Sequence, residues 1–387
     1  MKNKKICLVI SNYDNVGGTE RVTSQIANEL CDRGYDVSIV SFGKGLHPVF
    51  DTDERIRLFE CGVDLDRIKW IIPLTYRIPR WIRLPVALFN KVLVYIHTIY
   101  KKIYGRKLAK KMLKPILPDA VLAVDVKIYA YIFPAQKVMK FKTVAWEHFA
   151  LFSPRGKFVD NARKLALKHA NRIVVLSDRD REDYSKAFPK ANHILRMYNP
   201  MAYEPCHGID LNQRVVVASG RFVKQKGFDL LIQAWSKIAD QVPDWELRIF
   251  GDGEDREMLQ SLIDQNNLSN VKLCGFTNKM DEEMKKASVF VFSSRFEGWG
   301  LVLLEALAVG LPCVSFACKN GPSEIIDDGV NGFLVPPEDV DAFAEKLLLL
   351  MQDGDLRAAF SEKAHKDLYR FDIKTVGDEW EKLLENL

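Results

Sequence analysis

Residues 289–310 read VFVFSSRFEGWGLVLLEALAVG, and this stretch decides the fold. A short β-branched and aromatic run gives way to serines, charges and two glycines, and an apolar run too long for a strand follows. The order is strand, loop, helix. A loop so placed lies at the carboxyl end of a parallel strand, where open α/β sheets bind their ligands. Glu297 and Glu305 fall in it, and Glu305 is the one polar side chain between Leu301 and Gly310. An unpaired carboxylate is costly to bury, so Glu305 either takes a single solvated position or accepts hydrogen bonds from the hydroxyl pair of a ligand, as carboxylates do for ribose diols. Gly298 and Gly300 let the backbone approach that ligand, and the helix N-terminus behind them favours an anion.

The same alternation extends outward. ICLVIS at 6–11, TERVTSQIANEL at 19–30 and VSIVSF at 37–42 open the chain; IVVLS, VVVASGRF, LIQAWSKI, LRIFG and PCVSFA continue it from 173 to 317. Strand and helix patterns in alternation imply parallel sheets covered by helices on both faces. A chain of 387 residues suits two to three domains at about 150 residues each. Prolines 200 and 205 with Gly208 mark a boundary near Asn199. The expected organisation is α/β: two doubly wound Rossmann-like domains, 1–200 and 201–370, facing an interdomain cleft. Residues 371–387, with Trp380, Leu383 and Leu384 at helical spacing, form a helix that packs back on the first domain.

Composition excludes several classes. Apolar residues at 48% and charged residues at 28% are ordinary globular usage, so disorder and collagen-like chains fall away. The seven cysteines are scattered without a C-x-x-C pair, which argues against a zinc ribbon or disulfide framework and for a reducing compartment. The apolar run after MKNKK ends at Asn12, Tyr13 and Asp14 with no small-residue cleavage site, so it reads as a first buried strand of a cytoplasmic protein.

Two further loops carry candidate chemistry. In SGRFVKQKGFDLL, Arg221 and Lys226 stand between a strand and a helix that begins near Phe228. They are either two solvated loop cations or a site for a diphosphate, with Arg as a planar fork and Lys as a point charge. In NVGGTER, Gly17 and Gly18 expose backbone N–H groups between the first strand and first helix, or serve only the turn. The dinucleotide pattern G-x-G-x-x-G is absent.

Together these loops, with WEH at 146–148, YNP at 198–200, FGDGED, CGF and NGPSEIIDDGVNGFLVPPED, closely resemble the retaining family 4 glycosyltransferases of GT-B fold that build bacterial surface polysaccharides and glycolipids from nucleotide sugars. The likeness covers almost the whole chain. It implies that Arg221 and Lys226 neutralise the donor diphosphate, Glu305 holds the ribose, and Glu297 contacts the hydroxyls of the transferred sugar. Backbone N–H groups of Gly298, Trp299, Gly300 and Leu301 would touch sugar or phosphate. Gly18 would let the first domain close over the phosphates, and His148 would stand near the reacting sugar. Cations aimed at the departing phosphate lower the barrier, so neither a metal nor a cofactor is expected. Asp-x-Asp occurs five times, scattered as charged surfaces produce it.

Between Arg67 and Pro118 stand 13 Lys or Arg and no acid, leaving 43 basic against 51 acidic residues elsewhere, a net of −8. Trp81, Leu84, Leu88, Val92, Tyr95, Ile99 and Ile103 form an apolar stripe within it. The segment is either a core-facing helix with a solvated basic face or a surface that meets anionic lipid headgroups at the inner face of the cell membrane. No nucleic-acid motif accompanies the charge. The leading expectation is a sugar transferase using a nucleotide sugar, UDP-linked, and a lipid-linked or saccharide acceptor. The alternatives are another GT-B enzyme, an epimerase or phosphorylase, and a non-catalytic nucleotide-sugar or membrane-binding module.

Overall fold

The computed structural model describes residues 4–43, 47–62, 99, 103, 105–153 and 155–387. The first strand, β1 (Lys5–Ile10), is the run read from the sequence, and Cys7, Leu8 and Val9 in it are fully buried. It pairs in parallel with β2 (Asp36–Ser41) on one side and β4 (Ala120–Val124) on the other. With β3 (Arg57–Glu60), β5 (Lys142–Trp146), β6 (Arg172–Val175) and β7 (Ile194–Arg196) these make a seven-stranded sheet in the order β3-β2-β1-β4-β5-β6-β7. A second sheet, of six strands in the order β10-β9-β8-β11-β12-β13, comprises β8 (Val215–Ser219), β9 (Glu246–Phe250), β10 (Val271–Gly275), β11 (Val289–Phe292), β12 (Cys313–Phe316) and β13 (Gly332–Val335). Every ladder is parallel, which is why the strands read as near-continuous apolar runs: both faces are covered by helices. Strand order reverses between β1 and β4 in one sheet and between β8 and β11 in the other. Those two crevices are where doubly wound sheets take ligands.

The two halves are held together at several points. The C-terminal helix Ile373–Glu385 lies on the Gly18–Asp32 helix, with Arg33 bound to Asp378 at 2.7 Å and Glu381 at 2.9 Å, and Lys374 bound to buried Glu29 at 2.8 Å. Trp380 is fully buried, edge-on to Trp146 at 4.7 Å between ring centres. Truncating such a side chain to Ala costs about 3–5 kcal/mol. From the second half, the Glu324 carboxylate accepts the backbone N–H groups of Asp178 at 2.9 Å and Arg179 at 3.1 Å, capping the Asp178–Ala187 helix of the first.

The basic segment lies largely outside the described residues, including Trp81, Leu84, Leu88, Val92 and Tyr95 of its stripe. At its described end, Leu108, Met112, Leu113 and Ile116 are buried in the core of the first half while Arg106, Lys107, Lys110, Lys111 and Lys114 are exposed. Among the described residues, no helix is long and apolar enough to cross a membrane.

Candidate active site

A cleft of about 630 Å³ opens between the carboxyl ends of the two sheets. Loops after β1, β5, β8 and β11 line it, so both strand-order reversals face the same space. The structure brings every site residue named from the sequence to this cleft: Gly17, Gly18, His148, Arg221, Lys226, Glu297, Gly298, Trp299, Gly300, Leu301 and Glu305.

The loops after β8 and β11 are built as one unit. Gly227 takes the left-handed conformation (φ 64°) at the start of the Phe228–Ser236 helix, and a Cβ there would stand 2.1 Å from the Ser293 carbonyl oxygen. No side chain fits. The Ser293 hydroxyl donates to the Lys226 carbonyl at 2.9 Å, and the Arg295 N–H donates to the Gln225 carbonyl at 2.8 Å. Beneath them the Arg295 fork grips Asp229 with two bonds of 2.7 Å, holding the Asp229 carboxyl below its usual range against the opposing effect of burial. The result fixes Lys226 beside Glu297: its Nζ lies 2.6 Å from Glu297 Oε1, which also accepts the Ser294 hydroxyl at 2.8 Å. Arg221 is exposed and forms no ion pair within 4 Å among the described residues, so one cation of the pair is held and the other faces the opening.

Glu305 is neither solvated nor unpaired. It is buried on the Leu301–Val309 helix, and Nη1 of Arg21, from the other half of the molecule, donates to its Oε1. Burial pushes its carboxyl above the usual range and Arg21 pulls it back. The sequence offered no sign of this partner, 284 residues away.

His148 follows β5 and is buried, its ring 4.5 Å from that of Trp146. Burial lowers its pKa to about 4, so the imidazole is neutral at pH 7, with one nitrogen able to donate and the other to accept. Its Nε2 is buried without a hydrogen-bond partner among the described residues, as are Asn199 Oδ1 and Trp299 Nε1, and all three residues line the cleft. Behind His148, fully buried Glu147 is bound by Arg163 at 2.8 Å and Arg155 at 3.3 Å, and Arg155 also reaches Asp125 at 2.6 Å. Asn199, Arg21 and this carboxylate–arginine cluster were not named as site residues from the sequence, although Arg21 closes NVGGTER, Glu147 stands in WEH and Asn199 in YNP.

The Asp-x-Asp pairs have local duties: Asp339 and Asp353 cap helices at the N–H groups of Ala342 and Leu356, and Asp53 binds Arg55. Asp64 and Asp66 lie outside the described residues. Among the described residues, no group of three or more His, Cys, Asp or Glu is arranged to hold a metal ion.

Two family models match, running without a gap from 16 to 367: Glycosyltransferase Family 4 over residues 16–202 and Glycosyl transferases group 1 over residues 203–367. An uncharacterized glycosyltransferase of Haemophilus influenzae is 29% identical over 384 residues, covering 98% of this chain and 100% of its own. The amylovoran biosynthesis glycosyltransferase AmsD of Erwinia amylovora is 25% identical, covering 98% and 99%. Among solved structures, TarM of S. aureus superposes with a TM-score of 0.77 at 17% identity over 98% of this chain and 99% of its own. Anabaena HepE in complex with UDP and glucose does so with 0.74 at 20% identity over the whole of both chains.

Proposed function

This chain belongs to the family 4 glycosyltransferases of GT-B fold, and we propose that it moves a hexose or N-acetylhexosamine from a UDP-sugar to a lipid-linked or saccharide acceptor in surface-glycan assembly, with retention at the anomeric carbon. The observation that carries this reading is the set Lys226, Glu297 and Glu305, fixed in one cleft at the carboxyl ends of both sheets. The relatives support the chemistry: AmsD is named for amylovoran biosynthesis, and a Staphylococcus aureus relative is a poly(ribitol-phosphate) alpha-N-acetylglucosaminyltransferase. HepE was solved with UDP and glucose.

On this reading residues 1–200 present the acceptor and residues 201–370 hold the donor. Arg221 and Lys226 take the diphosphate, Glu305 the ribose, and Glu297 the hydroxyls of the sugar, while backbone N–H groups from Gly298 to Leu301 touch sugar or phosphate. The bond from the anomeric carbon to the phosphate oxygen breaks as the bond to the acceptor oxygen forms on the same face. The acceptor proton passes to the departing phosphate, whose growing charge the two cations stabilise. Neutral His148 stands at the sugar as a hydrogen-bonding group, not a charge. The basic segment brings the enzyme to an anionic inner membrane surface where its acceptor resides.

The test is mass analysis of products from nucleotide sugars with and without acceptor, in excess EDTA. Transfer of one sugar residue to the acceptor, undiminished by EDTA, supports the reading. Epimerised donor or sugar phosphate as the product assigns one of the other GT-B chemistries instead.

A further inference from the structure

Arg21 and Glu305 come from opposite halves of the molecule and meet inside the cleft. Arg21 sits in the first turn of the Gly18–Asp32 helix, directly after the glycine loop, and Glu305 in the second turn of Leu301–Val309. The guanidinium lies 5.2 Å from the Phe50 ring centre and 5.9 Å from that of Tyr203, two aromatic faces that fix its direction. A lone carboxylate in a helix as apolar as Leu301–Val309 tends to take up a proton rather than stay charged. Arg21 is the one cation that contacts Glu305 among the described residues.

The other groups near this carboxylate do not replace it. Asp281, on the Met280–Met284 helix, is a like charge whose nearest cation is Lys285 at 3.5 Å. Its neighbours Glu282 and Glu283 are bound to Lys279 at 3.0 Å and Lys286 at 2.8 Å. The Tyr203 hydroxyl, raised to about 12 by burial and then by Glu305, is neutral throughout the working range. An ionised carboxylate accepts about four hydrogen bonds, and Arg21 occupies one site on Oε1. A protonated one must donate, and it no longer matches a diol that donates twice.

We propose that Arg21 is a positioning residue for the donor: reaching across from the N-terminal half, it keeps Glu305 ionised and aimed so that both hydroxyls of a nucleotide ribose can donate to it. The inference rests on the reading of Glu305 as the ribose acceptor. Its consequence is that the nucleotide is gripped fully only when the two halves are together, because the group that tunes the donor site belongs to the other domain.

Removing Arg21 leaves burial and Asp281 acting unopposed, so the Glu305 carboxyl rises further and its acid form grows as pH falls. The probes are UDP-glucose, UDP-N-acetylglucosamine and GDP-mannose, whose diphosphate diesters keep their charge across this range. The tightest binder is titrated by calorimetry against wild type, Arg21→Met, Arg21→Lys and Glu305→Ala at about pH 8, 7 and 6. The expected result is a loss in Arg21→Met that grows on acidification, on the order of tenfold for each pH unit below the raised pKa and beyond the change in wild type. Arg21→Lys restores the flatter profile, since any cation there serves. A loss in Arg21→Met that is equal at all three pH values, or no loss, overturns the role for Arg21 while leaving Glu305 in place. Unchanged affinity in Glu305→Ala, or no probe bound by wild type, instead overturns the reading on which the inference rests. Melting of Arg21→Met at each pH separates misfolding from a binding defect.

Discussion

Gly298 stands so close to the His148 carbonyl that a Cβ on it would lie 2.2 Å from that oxygen and 3.2 Å from the Phe149 Cα. The contact joins the loop after β11 to the loop after β5, one from each sheet, and it is backbone against backbone. Neither side can yield locally. The cheapest way to admit a methyl group at Gly298 is to part the two halves, because overpacking within a fixed structure costs about 1–3 kcal/mol. Gly298→Ala therefore lowers kcat/KM by roughly ten- to hundredfold, the kinetic equivalent of that cost, while the melting temperature moves by only a few degrees. Steady-state kinetics beside a melting curve checks it, and near-normal turnover in this variant contradicts the closed geometry.

Lys226 is the cation the structure holds firmly, against Glu297 at 2.6 Å. On the proposed function, Lys226→Ala removes a charge partner of the leaving phosphate, a loss on the order of 10²–10³ in turnover by analogy with the removal of one electrostatic stabiliser. Single-turnover rates at saturating donor measure it without interference from binding. Turnover within a few fold of wild type removes Lys226 from the chemistry.

The strands were legible because a parallel sheet buries both faces, so Ile6–Ile10 and Val289–Phe292 announce themselves as unbroken apolar runs. The loops after β1, β8 and β11 were legible for a related reason: glycines and charges interrupt such runs only where the backbone turns at a strand's carboxyl end. What escaped was pairing across the molecule. Nothing around Arg21 distinguishes it from a solvated helix arginine until the fold carries Glu305 to it. The Glu147 cluster escaped likewise, since Arg155, Arg163 and Asp125 read as surface charges in a local window and become buried partners only when the Lys157–His169 helix packs beside β5. WEH and YNP suggested a site through resemblance alone; their buried atoms, without a hydrogen-bond partner among the described residues, appear only in three dimensions.

The proposed function divides the donor between the two glutamates. Glu305→Ala weakens a free nucleoside diphosphate and the intact nucleotide sugar alike, because both carry the ribose. Glu297→Ala leaves the nucleoside diphosphate nearly unaffected and weakens the sugar-bearing donor, besides lowering turnover. Calorimetry with the two ligands decides it, and identical losses for both ligands in the Glu297 variant contradict the division.

His148 makes stability depend on pH. Its folded pKa of about 4 lies below the ordinary value of 6.5 because burial disfavours the imidazolium, so the unfolded chain binds the proton more readily. The contribution is full above about pH 6.5 and is lost as pH falls through the window down to about 4, amounting to about 3 kcal/mol at most. His148→Gln flattens the slope of unfolding free energy against pH in that window, whatever its effect on absolute stability. Denaturant midpoints from pH 7 to about pH 4 for both proteins measure the slope, and parallel curves count against a buried neutral imidazole.

The central claim is that the cleft between the sheets is a nucleotide-sugar site with the diphosphate on the β8 loop and the ribose on the Leu301–Val309 helix. A crystal structure with a non-transferable UDP-sugar analogue tests it most directly. The account predicts ribose hydroxyls within hydrogen-bond distance of Glu305, phosphate oxygens on Lys226 and Arg221, and sugar hydroxyls facing Glu297. A nucleotide bound in the reverse direction, with its phosphates at Glu305, or bound outside this cleft, contradicts it.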